Sequence, residues 1–230
     1  MIKKFRLLSK EDCKNLREKI ENIEYEDGLK SAGYIAKDVK NNRQLTWNTH
    51  SARPILQAIE ARLMEKTSLF RIICYPRALI RTMINVHGPG EFYGKHVDNA
   101  WLINPNGSEL CSKNGRADLS FTLFLQEKDQ YEGGELCIDH DLSAIDVKLD
   151  AGEMVVYDSG LLHQVKPVTK GVRIGFVGWA QSWIPDARMR AILTSFDMQI
   201  ARMRKIKDVP KTEIDEFMRV YNELLRYYMR

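Results

Sequence analysis

Short apolar segments separated by turn residues fill the middle of the chain, and they constrain its fold more than any other feature. Between residues 69 and 179 these segments are "LFRIICY", "ALIRTMINV", "LSFTLFL", "GELCI", "DVKL", "EMVVYD", "HQVKPV" and "VRIGFVGW". They are rich in β-branched and aromatic residues, and turns such as "GPG", "EGG" and "DSG" separate most of them. Because no helical pattern intervenes, the sequence favours an antiparallel sandwich or barrel over a parallel sheet.

Helical patterns lie on either side of this region. The motif "SKED" at residues 9–12 predicts a capping box at the start of one helix, and apolar spacing predicts a second helix over residues 52–66. Towards the C-terminus the helical period returns, and Asp186 and Thr212 are predicted to cap two further helices. The core is therefore expected to have a helical N-terminal region and a helical C-terminal appendage.

The length of 230 residues suits one large domain with an addition. We predict a main domain over residues 1–184 and the helical appendage over residues 185–230. The apolar stripes of the appendage leave open self-association into a homo-oligomer through these helices.

Composition limits the cellular locations and the classes of binding partner that this chain is expected to have. No apolar run approaches the ~20 residues of a membrane span, and the basic start lacks a secretory apolar segment. The four cysteines are scattered, which favours reduced thiols and a cytoplasmic protein: Cys13, Cys74, Cys111 and Cys137. A net charge of +4 with a pI of about 8.8 falls short of the bias of a dedicated nucleic-acid binder.

The segment "FYGKHVDNA" at residues 92–100 carries a candidate metal site. His96 and Asp98 are two residues apart, so on an extended segment both side chains point to the same side. A third ligand must come from the remaining histidines, which are His50, His87, His140 and His163. His163 is favoured because it begins a strand-like run. His87 precedes a Gly-Pro-Gly turn and is expected to face elsewhere.

Two histidines and a carboxylate on one face of an ion form the facial triad of non-haem Fe(II) oxygenases, which leaves positions open for cosubstrates. A closed zinc site leaves none. Arg173, ten residues after His163, strengthens this interpretation. If the two lie on adjacent antiparallel strands joined by the "VTKG" turn, the guanidinium faces the same cavity and needs an anion. The alternative is that Arg173 pairs with a structural Asp or Glu.

Taken together, these residues resemble the PKHD-type hydroxylases, which are iron- and 2-oxoglutarate-dependent dioxygenases related to prolyl 4-hydroxylases. The matching stretches run nearly from end to end. They are "LLSKEDC", "AGYIAKDVKNNRQL", "FYGKHVDNA", "RADLSFTLFL", "YEGGELCI", "LDAGEMVVYDSGLLHQVKPVTKGVR", "WAQSWIPD" and "VYNELLR".

The resemblance implies a mainly β fold with flanking helices, built on a double-stranded β-helix, or jelly roll. It implies that His96, Asp98 and His163 hold the iron and that Arg173 binds the distal carboxylate of 2-oxoglutarate. Tyr93 is similar to a tyrosine that donates its hydroxyl to this cosubstrate. The implied cofactors are Fe(II), 2-oxoglutarate and O₂, and ascorbate is a further candidate.

The resemblance also orders the candidate substrates. A prolyl residue of a protein or peptide comes first, and a free amino acid or small metabolite second. Relatives that demethylate nucleobases carry a second arginine six residues beyond the first, where this chain has Trp179, so a nucleic-acid substrate is disfavoured. A catalytically inactive jelly-roll module that binds or senses a ligand is the remaining alternative.

Three departures from the family pattern leave the substrate preference open. Asp158 stands where many relatives have proline, and Gln164 where they often have arginine. The loop "NPNGSELCSKNG" at residues 104–115 is longer or altered.

Overall fold

A computed structural model describes residues 1–31, 39–103, 108–140 and 143–229, and it shows a mainly antiparallel β protein with a few helices. The strands are β1 (Ile2–Arg6), β2 (Glu26–Asp27), β3 (Lys40–Asn41), β4 (Arg43–Leu45), β5 (Pro76–His87), β6 (Phe92–His96), β7 (Trp101–Ile103), β8 (Asn114–Arg116), β9 (Leu119–Phe124), β10 (Tyr131–Gly133), β11 (Leu136–His140), β12 (Ser143–Val147), β13 (Glu153–Asp158), β14 (His163–Val165), β15 (Val168–Gly171) and β16 (Arg173–Ser182). The α-helices are α1 (Lys10–Ile20), α2 (Arg53–Met64), α3 (Leu69–Cys74), α4 (Ala187–Met203) and α5 (Lys211–Tyr228).

Two antiparallel sheets form the core. The larger has seven strands in the order β1-β13-β9-β16-β5-β4-β2, and the smaller has five in the order β12-β11-β14-β6-β3. Phe124 from the larger sheet and Leu136 and Val165 from the smaller belong to one buried apolar cluster, so the sheets pack face to face. The predicted antiparallel architecture is confirmed, and the two facing sheets fit the expected jelly-roll core.

Helices α1, α2 and α3 cover the outer face of the larger sheet. Cys13, Leu56 and Phe70 from these helices share the largest apolar cluster with Phe121 of β9. The Phe70 and Phe121 rings meet edge to face with centroids 5.2 Å apart. The prediction that "LFRIICY" is a strand was therefore wrong, because a short apolar run does not distinguish a buried strand from a buried helical turn.

The predicted helix starts have mixed outcomes. Ser9 and Asp12 form the predicted capping box at α1, and Asp186 accepts a hydrogen bond from the Met189 amide at the start of α4. The predicted Thr212 cap was wrong, because α5 begins at Lys211 after Pro210. Proline already fixes a backbone angle suited to a helix start, so Thr212 lies inside the first turn.

The two C-terminal helices pack on each other and on the core through a separate apolar cluster that includes Ile184, Leu193 and Tyr221. The hydroxyls of Tyr75 and Tyr221 are 3.0 Å apart. Among the described helices, none is long and apolar enough to span a membrane. A domain boundary near residue 185 stays a prediction.

Asp158, one of the departures from the family pattern, anchors α4. The Arg190 side chain is 1% exposed, and its Nη2 donates to Asp158 Oδ1 over 3.1 Å. Arg190 Nη1 also donates to the carbonyl oxygens of Ile184 and Pro185. The N-terminal ammonium of Met1 contacts the same carboxylate. Asp158 therefore compensates the buried charge that fixes the start of α4.

We predict that Asp158→Asn lowers the free energy of unfolding by about 2 kcal/mol, because it leaves a buried guanidinium without a counter-charge. Chemical denaturation monitored by circular dichroism measures this loss. Asp129→Asn, at an exposed position, is the control and should change the stability little. Equal stability of the two variants would contradict the anchoring role.

Candidate metal centre

Strand pairing brings the three predicted metal ligands together. His96 ends β6, Asp98 follows it, and His163 begins β14, which pairs with β6 so that His163 lies opposite His96. Asp98 Oδ1 is 3.8 Å from His96 Nε2, and Asp98 Oδ2 is 3.7 Å from His163 Nε2. One ligand atom from each residue lies within 4.8 Å of the others. The structure thus brings the three predicted side chains together.

Backbone hydrogen bonds set the orientation of both imidazoles. His96 Nδ1 lies 2.8 Å from the Gly94 carbonyl oxygen, and His163 Nδ1 lies 2.9 Å from that of Leu161. A carbonyl oxygen only accepts, so each Nδ1 carries the proton and each Nε2 presents a lone pair to the cluster. This tautomer is the one a metal ion requires when its ligands bind through Nε2.

The burial of His96 keeps its ring neutral. Burial, and then the neighbouring His163, lower the pKa of His96 to about 4. The ring of Tyr93 stacks on His96, with centroids 3.7 Å apart and planes inclined by 16°. Burial, reinforced by the Asp98 charge, raises the pKa of Tyr93, so the phenol keeps its proton. Tyr93 lines the cavity and is available there as a hydrogen-bond donor.

Asp98 is held in place by a pair of serines that the sequence reasoning missed. Ser120 Oγ donates to Asp98 Oδ2 over 2.6 Å, and Ser159 Oγ lies 2.8 Å from Ser120 Oγ. Both serines are buried. A polar residue within the buried strand "LSFTLF" was the available signal, since such a position needs a hydrogen-bond partner.

Arg173 faces the same cavity from the opposite sheet. It begins β16 in the seven-stranded sheet, whereas His163 lies in the five-stranded sheet. The predicted "VTKG" turn is itself strand β15, which pairs with β10. The expectation that His163 and Arg173 lie on adjacent strands was therefore wrong. The two still line one cavity, because the sheets face each other.

The Arg173 guanidinium is buried without an acidic partner. The residue is 1% exposed, and within the described ranges no carboxylate oxygen lies within 4.0 Å of it and Nε has no hydrogen-bond partner. Its nearest described neighbours include the Phe124 ring, whose centroid is 5.3 Å from Cζ. The alternative of a structural ion pair with Asp or Glu thus finds no support among the described residues. A buried cation of this kind needs an anion from outside the chain.

Two further polar groups near Arg173 also lack partners. His87 lies directly opposite Arg173 across β5 and β16, so both side chains share one face of the sheet. His87 is fully buried and neither of its ring nitrogens has a hydrogen-bond partner among the described residues; the same holds for the Tyr131 hydroxyl. As expected, His87 does not join the cluster of His96, Asp98 and His163. Because β5 extends through residue 87, its side chain lies on the same face of the sheet as Arg173.

The cavity between the sheets thus has two chemically distinct parts. At one side a histidine, a carboxylate and a second histidine present lone pairs, which fits a divalent transition metal. At the other, a buried guanidinium with unsatisfied polar neighbours fits a carboxylate. The remaining lining includes Asn85, Leu136, Tyr157, Val165, Val177 and Trp179. The residues present therefore fit both Fe(II) and 2-oxoglutarate.

Comparison with known proteins agrees with this donor set. The profile of the 2OG-Fe(II) oxygenase superfamily matches residues 82–181. A PKHD-type hydroxylase of Acidovorax ebreus is 35% identical over 224 residues, covering 97% of this chain and 96% of that protein. One from Prochlorococcus marinus is 40% identical over 202 residues, covering 88% and 86%. The chain belongs to the PKHD-type hydroxylases. Membership implies Fe(II), 2-oxoglutarate and O₂ as the metal and cosubstrates of this hydroxylase.

Solved structures with a similar fold support the jelly-roll description of this PKHD-type hydroxylase. A prolyl-4-hydroxylase of Pseudomonas putida aligns with a TM-score of 0.52 at 18% identity, covering 79% of this chain and 92% of that one. A 2OG-Fe(II) family oxidoreductase of Burkholderia pseudomallei aligns with a TM-score of 0.56 at 16% identity, covering 77% and 84%. At these identities the likeness concerns the fold alone.

We predict that Ser120→Ala weakens Mn(II) or Zn(II) binding by about 10- to 100-fold, because Asp98 loses the hydrogen bond that orients it. Metal titration of the purified protein measures this without any turnover. The control is Ser112→Ala, whose hydroxyl donates to the Asn114 carbonyl oxygen outside the cavity. Unchanged metal affinity in Ser120→Ala would remove the serine from this role.

The lowered pKa of His96 predicts a pH dependence for the metal-free protein. Between pH 6.5 and about 4, His96 is protonated in the unfolded chain but stays neutral in the folded chain. Stability should therefore be complete above pH 6.5 and fall with acidification through this window, by up to about 1.4 kcal/mol per pH unit. Denaturation curves at pH 7 and pH 5 should show a smaller difference for His96→Gln than for the wild type. Equal differences would refute the assignment.

Proposed function

We propose that this protein is an Fe(II)- and 2-oxoglutarate-dependent dioxygenase that hydroxylates an unactivated C–H bond and releases succinate and CO₂. The first candidate substrate is a prolyl residue of a protein or peptide. The observation that carries the proposal is a buried His96–Asp98–His163 cluster that shares one cavity with Arg173, which has no acidic partner among the described residues.

Each residue has a defined part in this proposal. His96 and His163 hold the metal through Nε2, and Asp98 holds it through a carboxylate oxygen that Ser120 orients. Fe(II) with 2-oxoglutarate supplies the oxidising chemistry when both are bound. Three protein ligands leave coordination positions for the cosubstrates, and the sheet walls limit access of water to them.

Arg173 anchors the distal carboxylate of 2-oxoglutarate, so that the keto acid binds in one orientation. Arginine suits this place because it stays charged when buried and offers a planar fork to a carboxylate. His87 lies opposite it on the same face of the sheet, and its ring nitrogens have no hydrogen-bond partner within the part of the chain that the structure describes. Tyr93 keeps its proton and donates its hydroxyl to the cosubstrate.

The substrate assignment draws on relatedness rather than on the fold. Proteins of similar fold include a prolyl hydroxylase from Trichoplax adhaerens solved with a peptide of hypoxia inducible factor, with a TM-score of 0.51. They also include HygX from Streptomyces hygroscopicus solved with hygromycin B, with a TM-score of 0.54. One architecture therefore accommodates peptides and small metabolites. A free amino acid or small metabolite is accordingly the second candidate here.

The third possibility is an inactive binding or sensor module with this fold. The presence of all three ligand residues and of the arginine argues against it. A cytoplasmic location, stimulation by ascorbate and self-association through the C-terminal helices complete the proposal. Incubation with Fe(II), 2-oxoglutarate and peptide or metabolite pools tests it, since hydroxylation adds 16 daltons to the substrate.

We predict that His96→Ala, Asp98→Ala and His163→Ala each reduce substrate-dependent succinate formation to background, because each removes a metal ligand. The metal content of the same samples should fall with little loss of helical and strand signal in circular dichroism. His50→Ala, at an exposed position, is the control. Normal turnover in all three variants would refute the metal site.

A second prediction compares two buried arginines, both 1% exposed. Arg173→Met should raise the KM for 2-oxoglutarate by about 100-fold. It should not destabilise the protein without cosubstrate, because the removed charge has no acidic partner in the described ranges. Arg190→Met should destabilise the protein, because it leaves Asp158 without its partner. Thermal unfolding with and without 2-oxoglutarate separates the two effects. Unchanged cosubstrate affinity in Arg173→Met would remove Arg173 from its role.

A further inference from the structure

A β-bulge in β5 carries a strained arginine. Val177 pairs with Met83 and Trp179 with Ile80, so Gly178 alone faces both Arg81 and Thr82. Arg81 has a φ of +52°, in the left-handed region that residues with a Cβ rarely adopt. The packing around Gly178 maintains the bulge, because a Cβ there would lie 2.8 Å from the Phe121 ring and 3.0 Å from Thr82 Cγ2.

The bulge borders the cavity that holds the metal cluster. The lining of that cavity includes Val177, Gly178 and Trp179, which are the residues of β16 opposite the bulge. Arg81 therefore lies in the sheet segment that forms one wall of the cavity. A bulge is a known means of turning a side chain out of the regular alternation towards a site.

Arg81 is half-buried and has no acidic partner among the described residues. It makes no hydrogen bond to them, and no carboxylate oxygen of theirs lies within 4.0 Å of its guanidinium. Burial lowers its pKa. A backbone held in a strained conformation to present an uncompensated cation is unfavourable for folding alone, which indicates a ligand.

The ligand differs from the one that Arg173 serves. Arg173 is fully buried between the sheets, whereas Arg81 is half-buried at the bulge. A guanidinium fork matches an oxyanion, and a carboxylate is the oxyanion that peptides and amino acids provide. We infer that Arg81 binds a carboxylate of the substrate, so that this enzyme hydroxylates acidic peptides or free amino acids in preference to neutral ones. The inference rests on the proposed function.

Synthetic substrates test the inference. The peptide probes are N-acetylated, amidated hexapeptides with an internal proline. Each carries a single Glu at one of the remaining positions, and its matched partner carries Gln at the same position. The small-molecule probes are L-proline and L-prolinamide. Enzyme with Fe(II) and 2-oxoglutarate should add 16 daltons to Glu peptides or to L-proline. The rate of hydroxylation of the matched Gln peptide or of L-prolinamide should be at least about 10-fold lower. The responding pair distinguishes a side-chain carboxylate from the carboxylate of a free amino acid.

Variants then locate the preference. Arg81→Asn should remove it while leaving the KM for 2-oxoglutarate within about 2-fold, and Arg81→Lys should retain part of it. Asparagine tolerates the left-handed backbone, so the variant should fold with an unchanged or higher Tm. Arg77→Asn, at an exposed position on the same strand, is the matched control.

A binding experiment without turnover uses Zn(II) in place of iron. Ultrafiltration should retain the acidic probe with the wild type and not with Arg81→Asn.

The outcomes separate the inference from the proposed function. Equal turnover of acidic and neutral probes, or an unchanged preference in Arg81→Asn, overturns the inference and leaves the dioxygenase intact. Hydroxylation of no probe at all overturns the prolyl assignment, and with it the inference. Retention of the acidic probe by Arg81→Asn as by the wild type also overturns the role of Arg81.

Discussion

The pairing of β6 with β14 is the interaction on which the site depends. It sets His163 opposite His96 and leaves Asp98 just beyond the paired segment. Side chains alternate along a strand, so a slip of one residue would turn His96 and Asp98 away from His163 together. Pairing of β14 with β11 on its other side, with Ile138 opposite His163, fixes the same register a second time. The relative position of the two histidines is thus a consequence of sheet register.

Some buried ionisable side chains of this protein have hydrogen-bond or charge partners within the described chain, and Arg173 has no acidic partner there. The first kind stabilises the fold, and the second points to a ligand. Glu60 is fully buried and accepts hydrogen bonds from Trp47, Thr82 and Ser108. Arg190 is equally buried and is paired with Asp158. Arg173 is buried to the same extent with no acidic partner in the described part of the chain. Glu60 and Arg190 show that this fold can supply partners for buried charged side chains. The lack of such a partner for Arg173 among the described residues therefore indicates a binding site.

The sequence predicted those parts of the fold and site that depend on local pattern, and failed where partners are distant. The His-x-Asp spacing and the strand-like run at His163 indicated three side chains that the structure brings together. Nothing local assigns Arg173 to the sheet opposite His163, because strand order depends on pairings between residues far apart in the chain. The apolar run at residues 69–75 had the composition of a strand, but it forms a helix whose Phe70 packs against Phe121. The sequence shows Ser120 only as a polar residue in an apolar segment. It does not identify the hydrogen-bond partner, because Asp98 is 22 residues away.

The two arginines of the cavity arise in different ways, and this has a consequence for specificity. Arg173 comes from regular pairing in the middle of the larger sheet, where any change of register would also move β5 and β9. Arg81 comes from a bulge, where one extra residue is accommodated without altering the pairing on either side, at Ile80 and at Met83. The proposed contact with the cosubstrate is therefore tied to the whole sheet. The proposed contact with the substrate can be changed at one position, which would allow one scaffold to serve different substrates.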